Sequence, residues 1–152
     1  DIQSRNMIYW KDIPYGKGGN ILAIARNNGK EVARHLLETT GKAKALKIEL
    51  ENADWKADGM DLQYVKVYAV DGKGRVVPAA EGEVTFEVSG AARLIAVDNG
   101  DHMTDELFSG NHKKLHQGFV MAILRSSQTG GDVKVKASLK GLKSAEKKMM
   151  TK

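Results

Sequence analysis

The sequence has 152 residues, 41% hydrophobic and 28% charged, which suits one ordinary domain, or a domain plus part of another, and excludes a (β/α)₈ barrel of about 250 residues. With no cysteine it carries no disulfide framework, thiolate metal site or cysteine nucleophile. The net charge of +5 accompanies only 6% aromatic residues, whereas a nucleic-acid platform interleaves basic and aromatic side chains, so no nucleic-acid partner is expected.

The opening Asp1-Ile-Gln-Ser-Arg5 lacks the charged and apolar regions of a signal peptide. Since the first residue is not Met, the chain is expected to be an internal piece whose targeting signal has been removed. No apolar run approaches the ~18–20 residues of a helical membrane span, so no membrane partner is expected. Gly16-Lys-Gly-Gly19 lacks the closing Gly-Lys-[Ser/Thr] of a phosphate-binding loop and reads as a plain loop.

From there the hydrophobic period is two. Ile21–Arg26 and Glu31–Glu38 flank Asn27-Asn-Gly-Lys30, the strongest short hairpin signal in the chain. Glu31-Val-Ala-Arg-His-Leu-Leu-Glu38 has a helical composition, but the turn before it predicts strand, turn, strand. Gly41-Lys-Ala43 marks a junction. Beyond it Leu46, Ile48 and Leu50 alternate with Lys47 and Glu49, and Val65, Val67 and Ala69 with Lys66 and Tyr68. Val84, Phe86 and Val88 alternate with Thr85 and Glu87. Arg93–Val97 and Phe119–Arg125 are further strands. Val133, Val135, Ala137 and Leu139 then alternate with Lys134, Lys136, Ser138 and Lys140, the pattern of a half-buried strand. Asp58-Gly59, Asp71-Gly-Lys-Gly74, Asn99-Gly100 and Thr129-Gly-Gly131 supply turns between them.

Short strands with regular turn signals predict an all-β protein, an immunoglobulin-like antiparallel β-sandwich of about 100 residues. The expected boundaries are 43–144 for that sandwich. Residues 1–42, with their own β-hairpin, are left over, and 145–152 read as a disordered basic tail.

The residues that could carry chemistry point weakly. Asp98-Asn-Gly-Asp101, with Asp105 and Glu106 nearby, is rich in oxygens suited to Ca²⁺, but the spacing is not that of an EF-hand and equally suits a turn. His112 and His116 meet a His-x₃-His zinc spacing, with His102 nearby, yet glycines bracket the segment and no third ligand is fixed. No metal and no cofactor are therefore expected. No Gly-x-Ser-x-Gly elbow is present, and no spacing selects the two carboxylates that glycoside cleavage needs. Trp10, Tyr15, Trp55 and Tyr64 could stack on sugar rings or simply pack in a core.

Taken in order, several segments resemble the C-terminal region of bacterial β-galactosidases of glycoside hydrolase family 2. They are Trp10-Lys-Asp-Ile-Pro-Tyr15, Gly19-Asn-Ile-Leu-Ala-Ile-Ala25, Asn28-Gly-Lys-Glu-Val-Ala-Arg34 and Thr40-Gly-Lys-Ala-Lys-Ala-Leu46. Ala57-Asp-Gly-Met-Asp-Leu62, Asp71-Gly-Lys-Gly-Arg-Val-Val-Pro78 and Val97-Asp-Asn-Gly-Asp101 follow. The last are Gly118-Phe-Val-Met-Ala-Ile-Leu-Arg-Ser126, Gly130-Gly-Asp-Val-Lys-Val-Lys-Ala137 and Gly141-Leu-Lys-Ser144. The resemblance runs from about Ile8 to Ser144. It departs from the family at Gly19–Ala25, where a Gly-Glu-Leu pattern is more usual, and at Asn111–His116, where histidine and lysine share a normally basic stretch.

This resemblance implies that residues 1–42 close a preceding immunoglobulin-like domain and that the rest forms a final one. In that family, two glutamates on a catalytic barrel hydrolyse terminal β-galactosides with retention, and the motifs carrying them lie upstream of anything here. No catalytic residue is therefore expected in this chain. The expected role is a structural accessory domain whose partners are the other domains of the same polypeptide, including the barrel. Periplasmic or extracellular localisation is implied too. The alternative is a carbohydrate-binding module, for which Trp55 and Tyr64 are the candidate residues. The hairpin Ile21–Glu38, lacking upstream strands, is expected to dock on the sandwich or to pair with a second copy in a homodimer.

Overall fold

The structure is a computed structural model that describes residues 2–4, 7–14 and 18–152. Tyr15 and the first two residues of Gly16-Lys-Gly-Gly19 lie outside the described residues. The strands are β1 (Ile2–Ser4), β2 (Met7–Ile8), β3 (Asn20–Asn27), β4 (Lys30–Glu38), β5 (Ala45–Leu50) and β6 (Leu62–Val70), then β7 (Glu83–Gly90), β8 (Ala92–Asp98), β9 (His112–Lys114), β10 (Phe119–Ser126), β11 (Gly131–Ser138) and β12 (Ala145–Thr151). The described residues hold no helix. Two compact units divide the chain, Asp1–Thr39 and Thr40–Lys152.

In the first unit β1 pairs with β2, and β3 with β4, both antiparallel. The β3–β4 turn puts Asn28 at φ 49° and Gly29 at φ 79°. A two-residue turn with positive φ at both positions matches the right-handed twist of the strands it joins, which is why Asn-Gly outweighs the helical composition after it. Register sets Ile21 opposite Leu37 and Leu22 opposite Leu36, so successive pairs put apolar side chains on both faces of the hairpin. All four are exposed.

The second unit is a sandwich of two four-stranded sheets, ordered β5-β6-β10-β8 and β12-β11-β7-β9. With β8 beside β10, the first sheet has the ABED order of an immunoglobulin framework. β7, β11 and β12 give the second sheet its CFG order, and the short β9 extends it. Alternation decides which faces meet. Val65, Val67 and Ala69 of β6 and Val120, Ala122 and Leu124 of β10 point inward against Val84 and Phe86 of β7 and Val133, Val135 and Ala137 of β11. Trp55 and Leu115 complete this core from the connections. Burying each large apolar side chain contributes roughly 1.5–3 kcal/mol, which makes this cluster the main support of the fold.

The expected tail needs correction. Residues 145–152 are not a disordered tail: Ala145–Thr151 form β12, which pairs with β11 along its whole length, Ala145 opposite Ala137 through Thr151 opposite Gly131. Thr151 is buried, its hydroxyl accepting from the Gly131 N–H at 3.2 Å. The strand was hidden because it is an edge, with Glu146, Lys147 and Lys148 placing three charges in a row among its seven residues. The sandwich therefore runs past residue 144. The segment around His112 is a strand too, β9, pairing with the start of β7.

One glycine shows how closely neighbouring strands of one sheet approach. Gly90 ends β7 at φ 97°, and a Cβ there would collide with the Asp132 carbonyl of β11.

Candidate functional site

Trp55 lies inside the sandwich, 3% exposed, and its indole N–H donates to the Asp61 carbonyl at 3.0 Å. It is a core residue, not an open stacking surface. Tyr64 is half-buried on the outer face of β6, because its neighbours Gln63 and Val65 point inward. Its companions on that face are Ile123 opposite it, and Tyr68 four residues on, whose ring lies 5.4 Å from that of Phe119. The structure does not place Trp55 and Tyr64 on one exposed face. Trp10 is exposed in the first unit.

The acidic loop spends its oxygens on turns. The Asp98 carboxylate accepts from the N–H groups of Asn99 (2.7 Å) and Gly100 (3.0 Å). The Asn99 side chain accepts from Asp101 N–H (3.0 Å), and Asp101 accepts from Met103 N–H (2.9 Å). These are Asx turns, in which a short polar side chain substitutes for a backbone carbonyl. Asn99, itself buried, also donates to the Lys114 carbonyl at 3.0 Å. His112 sits at the start of β9 and His116 beyond its end, 3.8 Å from Asp101. No group of three or more potential metal ligands converges among the described residues.

Two polar residues that sequence reasoning passed over organise the loops. Lys113 is fully buried, and its ammonium donates to the Glu106 carbonyl at 3.0 Å and lies 4.6 Å from the Phe108 ring centre. It thereby holds down the loop between β8 and β9. The available signal was alternation: Lys113 shares a strand face with Leu115. Asp71 is the second. One carboxylate oxygen accepts from Lys73 N–H (2.8 Å) and Arg75 N–H (3.1 Å), the other from Gly41 N–H (2.9 Å) and the Arg75 guanidinium (2.7 and 3.0 Å). The Arg75 guanidinium first, and then the Gly41 N–H, hold this carboxyl well below the usual carboxylate range. Asp71 thus ties the start of the second unit to its β6–β7 turn.

A concavity of about 700 Å³ opens between β5 and β12, the edge strands of opposite sheets. Ile48, Leu50, Trp55 and Met149 form its apolar lining, and Gln63, Asn52 and Lys147 its polar part. Gln63 is buried and staples the adjoining loop, its amide oxygen accepting from Glu51 N–H (3.1 Å) and Asn52 N–H (2.9 Å) while its amide N–H donates to the Asn52 carbonyl (2.6 Å). Asp61 braces the same loop by accepting from Lys56 N–H at 2.8 Å. A shallow trough of this kind, walled by strand edges, can hold an extended chain or a surface of another domain.

Residues 46–148 match the family model described as glycoside hydrolase family 2 C-terminal domain 5. The chain is 32% identical over 127 residues to the Beta-galactosidase BoGH2A of Bacteroides ovatus, covering 84% of this chain and 15% of that protein. It is 34% identical over 110 residues to a Beta-glucuronidase of Formosa agariphila, covering 70% of this chain and 11% of that protein. Among solved structures, a glycosyl hydrolase family 2 member from Bacteroides cellulosilyticus superimposes with a TM-score of 0.84 at 32% identity, over 92% of this chain and 18% of that one. The chain thus spans less than a fifth of the length of each of these relatives.

Proposed function

The chain belongs to the glycoside hydrolase family 2 C-terminal domain 5 family, and from that premise we propose that it is a non-catalytic accessory domain at the C-terminal end of a larger glycoside hydrolase. The observation that carries this reading is coverage: 84% of the chain aligns with only 15% of the Bacteroides ovatus β-galactosidase. The bulk of such an enzyme, with its catalytic barrel, lies in other domains. The parent's reaction is hydrolysis of terminal β-galactosides or related β-glycosides with retention, and this domain's work is to pack against its neighbours and position the barrel.

The first unit fits that picture as the closing strands of a preceding immunoglobulin-like domain. Its hairpin is apolar on both faces, with Ile21, Leu22, Leu36 and Leu37 all exposed, and a two-stranded hairpin is marginal by itself in water. In the parent, upstream strands cover it. In the 152-residue chain alone, a second copy does, and sedimentation at micromolar concentration detects that dimer. A periplasmic or extracellular location goes with this reading, and fractionation of the producing cell tests it. No second reading is favoured, because a sugar-binding module needs exposed clustered aromatics and Trp55 is in the core.

A chromogenic β-galactoside and a β-glucuronide supply the test. The purified 152-residue chain is expected to turn over neither, while the full-length parent cleaves one of them and loses thermal stability when residues 40–152 are deleted. Turnover by the purified chain overturns the proposal, and so does a deletion that leaves the parent's stability unchanged.

A further inference from the structure

The trough between β5 and β12 is closed at both ends by main-chain hydrogen bonds and open between them. At one end Leu46 N–H donates to the Lys143 carbonyl (2.8 Å) and Lys143 N–H to the Lys44 carbonyl (2.9 Å). At the other, Ala57 N–H donates to the Lys152 carbonyl (2.7 Å) and Lys152 N–H to the Trp55 carbonyl (3.1 Å). Backbone groups alternate in direction along a strand. Leu46 N–H points away from β6, so those of Ile48 and Leu50 do as well. Lys152 N–H points away from β11, so those of Lys148 and Met150 do as well. None of these four N–H groups has a main-chain partner among the described residues. Two strand edges therefore face the trough with their hydrogen-bonding groups free.

Lys147 decides what can occupy it. Register places it opposite Val135, a buried residue of the inner sheet face, so Lys147 is directed between the sheets, where it lines the trough beside Met149, Ile48 and Trp55. Its neighbours in the sheet have counter-ions, Lys134 with Glu146 at 2.9 Å and Lys136 with Glu87 at 3.1 Å. Lys47 likewise pairs with Glu49 at 2.7 Å. Lys147 has no carboxylate partner among the described residues. An inward-directed charge on an edge strand repels an apolar strand, because adding one would bury the ammonium uncompensated. A strand that brings a carboxylate to the same place is accepted, so a single side chain both rejects wrong partners and selects the right one.

We propose that the trough between β5 and β12 is a docking slot for an extended acidic strand of a partner polypeptide, which adds to the free edge of β12 and sets a carboxylate against Lys147. Main-chain bonds supply the general attraction, and the lysine supplies the choice of partner. Nothing in this depends on which glycoside the parent cleaves.

Two capped seven-residue peptides, Thr-Val-Thr-Glu-Thr-Val-Thr and its variant with Lys at the centre, test the slot on the full 152-residue chain. Titration followed by NMR reads affinity, and hydrogen exchange reads the amides of Ile48, Leu50, Lys148 and Met150. The acidic peptide is expected to bind saturably, at least tenfold more tightly than the basic one, and to slow exchange at Lys148 and Met150. Lys147→Glu, at an exposed position, is expected to keep the melting temperature and to reverse the preference. Equal affinities, absence of binding by the acidic peptide, or an unreversed preference in Lys147→Glu each overturn the proposal. So does concentration-dependent protection of the same amides without peptide, which would identify a second copy as the occupant.

Discussion

Replacing Trp55 with alanine removes the largest side chain of the sandwich core together with the indole that donates to the Asp61 carbonyl at 3.0 Å. Truncating a buried Trp costs about 3–5 kcal/mol through lost transfer energy and the cavity left behind. Phe in its place keeps most of the ring volume but leaves the Asp61 carbonyl without its donor, at about 1–3 kcal/mol. A destabilisation of 1 kcal/mol lowers the melting temperature of a domain near 100 residues by about 4 °C. The Thr40–Lys152 unit is therefore expected to melt about 12–20 °C lower in Trp55→Ala and about 4–12 °C lower in Trp55→Phe. Differential scanning calorimetry of the 152-residue chain measures both. A drop of less than about 3 °C in the alanine variant would refute the placement of this ring as core, since it is below the cost of even one kcal/mol. The result also governs how sugar binding is tested. Loss of glycan binding in Trp55→Ala would report a weakened fold, so Tyr64→Ala, on the outer face of β6, is the substitution that isolates stacking.

The other predictions concern polar and backbone devices. Asp71 has a depressed carboxyl pKa, so its contribution is complete above the unfolded value of about 3.9 and is lost as pH falls through the folded value. The melting temperature is expected to be flat from about pH 5 to 8 with respect to this group and to fall below about 4, with a shallower fall in Asp71→Asn; identical acid profiles would contradict it. At neutral pH Asp71→Ala should lower the melting temperature more than Glu31→Ala, because Glu31 serves one exposed arginine while Asp71 serves Arg75 and three backbone N–H groups. Gly90→Ala drives a Cβ into the Asp132 carbonyl, whereas Gly29→Ala enters open space at φ 79°. Urea titration should therefore show about 1–2 kcal/mol lost in Gly29→Ala, from left-handed strain, and clearly more in Gly90→Ala. Lys113→Met keeps the buried stem but strips the Glu106 carbonyl of its donor, with an expected cost of about 1–3 kcal/mol and faster amide exchange across residues 100–110. Unchanged exchange there would mean that Lys113 does not hold the loop.

The legible strands were those with one wholly buried face. Val65, Val67 and Ala69, and likewise Val133, Val135 and Ala137, are buried while the residues between them stay in contact with water. Burial on one side of a pleated strand writes a period of two into the sequence, and that period survives whatever else the chain does. Asn28-Gly29 was readable for a different reason, since its backbone conformation is required locally by the turn. What stayed hidden depended on partners far away in sequence. In β12 the inward positions are Ala145, Lys147, Met149 and Thr151, only two of them apolar, so alternation carries almost no hydrophobic contrast. Three-residue β9 offers too few positions for any period to show.

The same distance effect explains why the candidate site was illegible while the fold was not. Trp55 stands in a polar stretch between Asp54 and Lys56, and nothing local reveals that the Asp61 carbonyl and the sandwich interior will enclose it. The trough exists because β5, the first strand of its sandwich, and β12, the last, become edges of opposite sheets on the same side. Neither strand encodes that juxtaposition; it is a consequence of the closing order of the whole sandwich. Lys147 then reads as one more surface lysine in a basic run until register with β11 sets it opposite Val135. A fold repeats its physical demand at every second residue and so is written many times over. A site made where two strand ends of the chain converge is written once, in residues about a hundred positions apart, and becomes visible only when the sheets are closed.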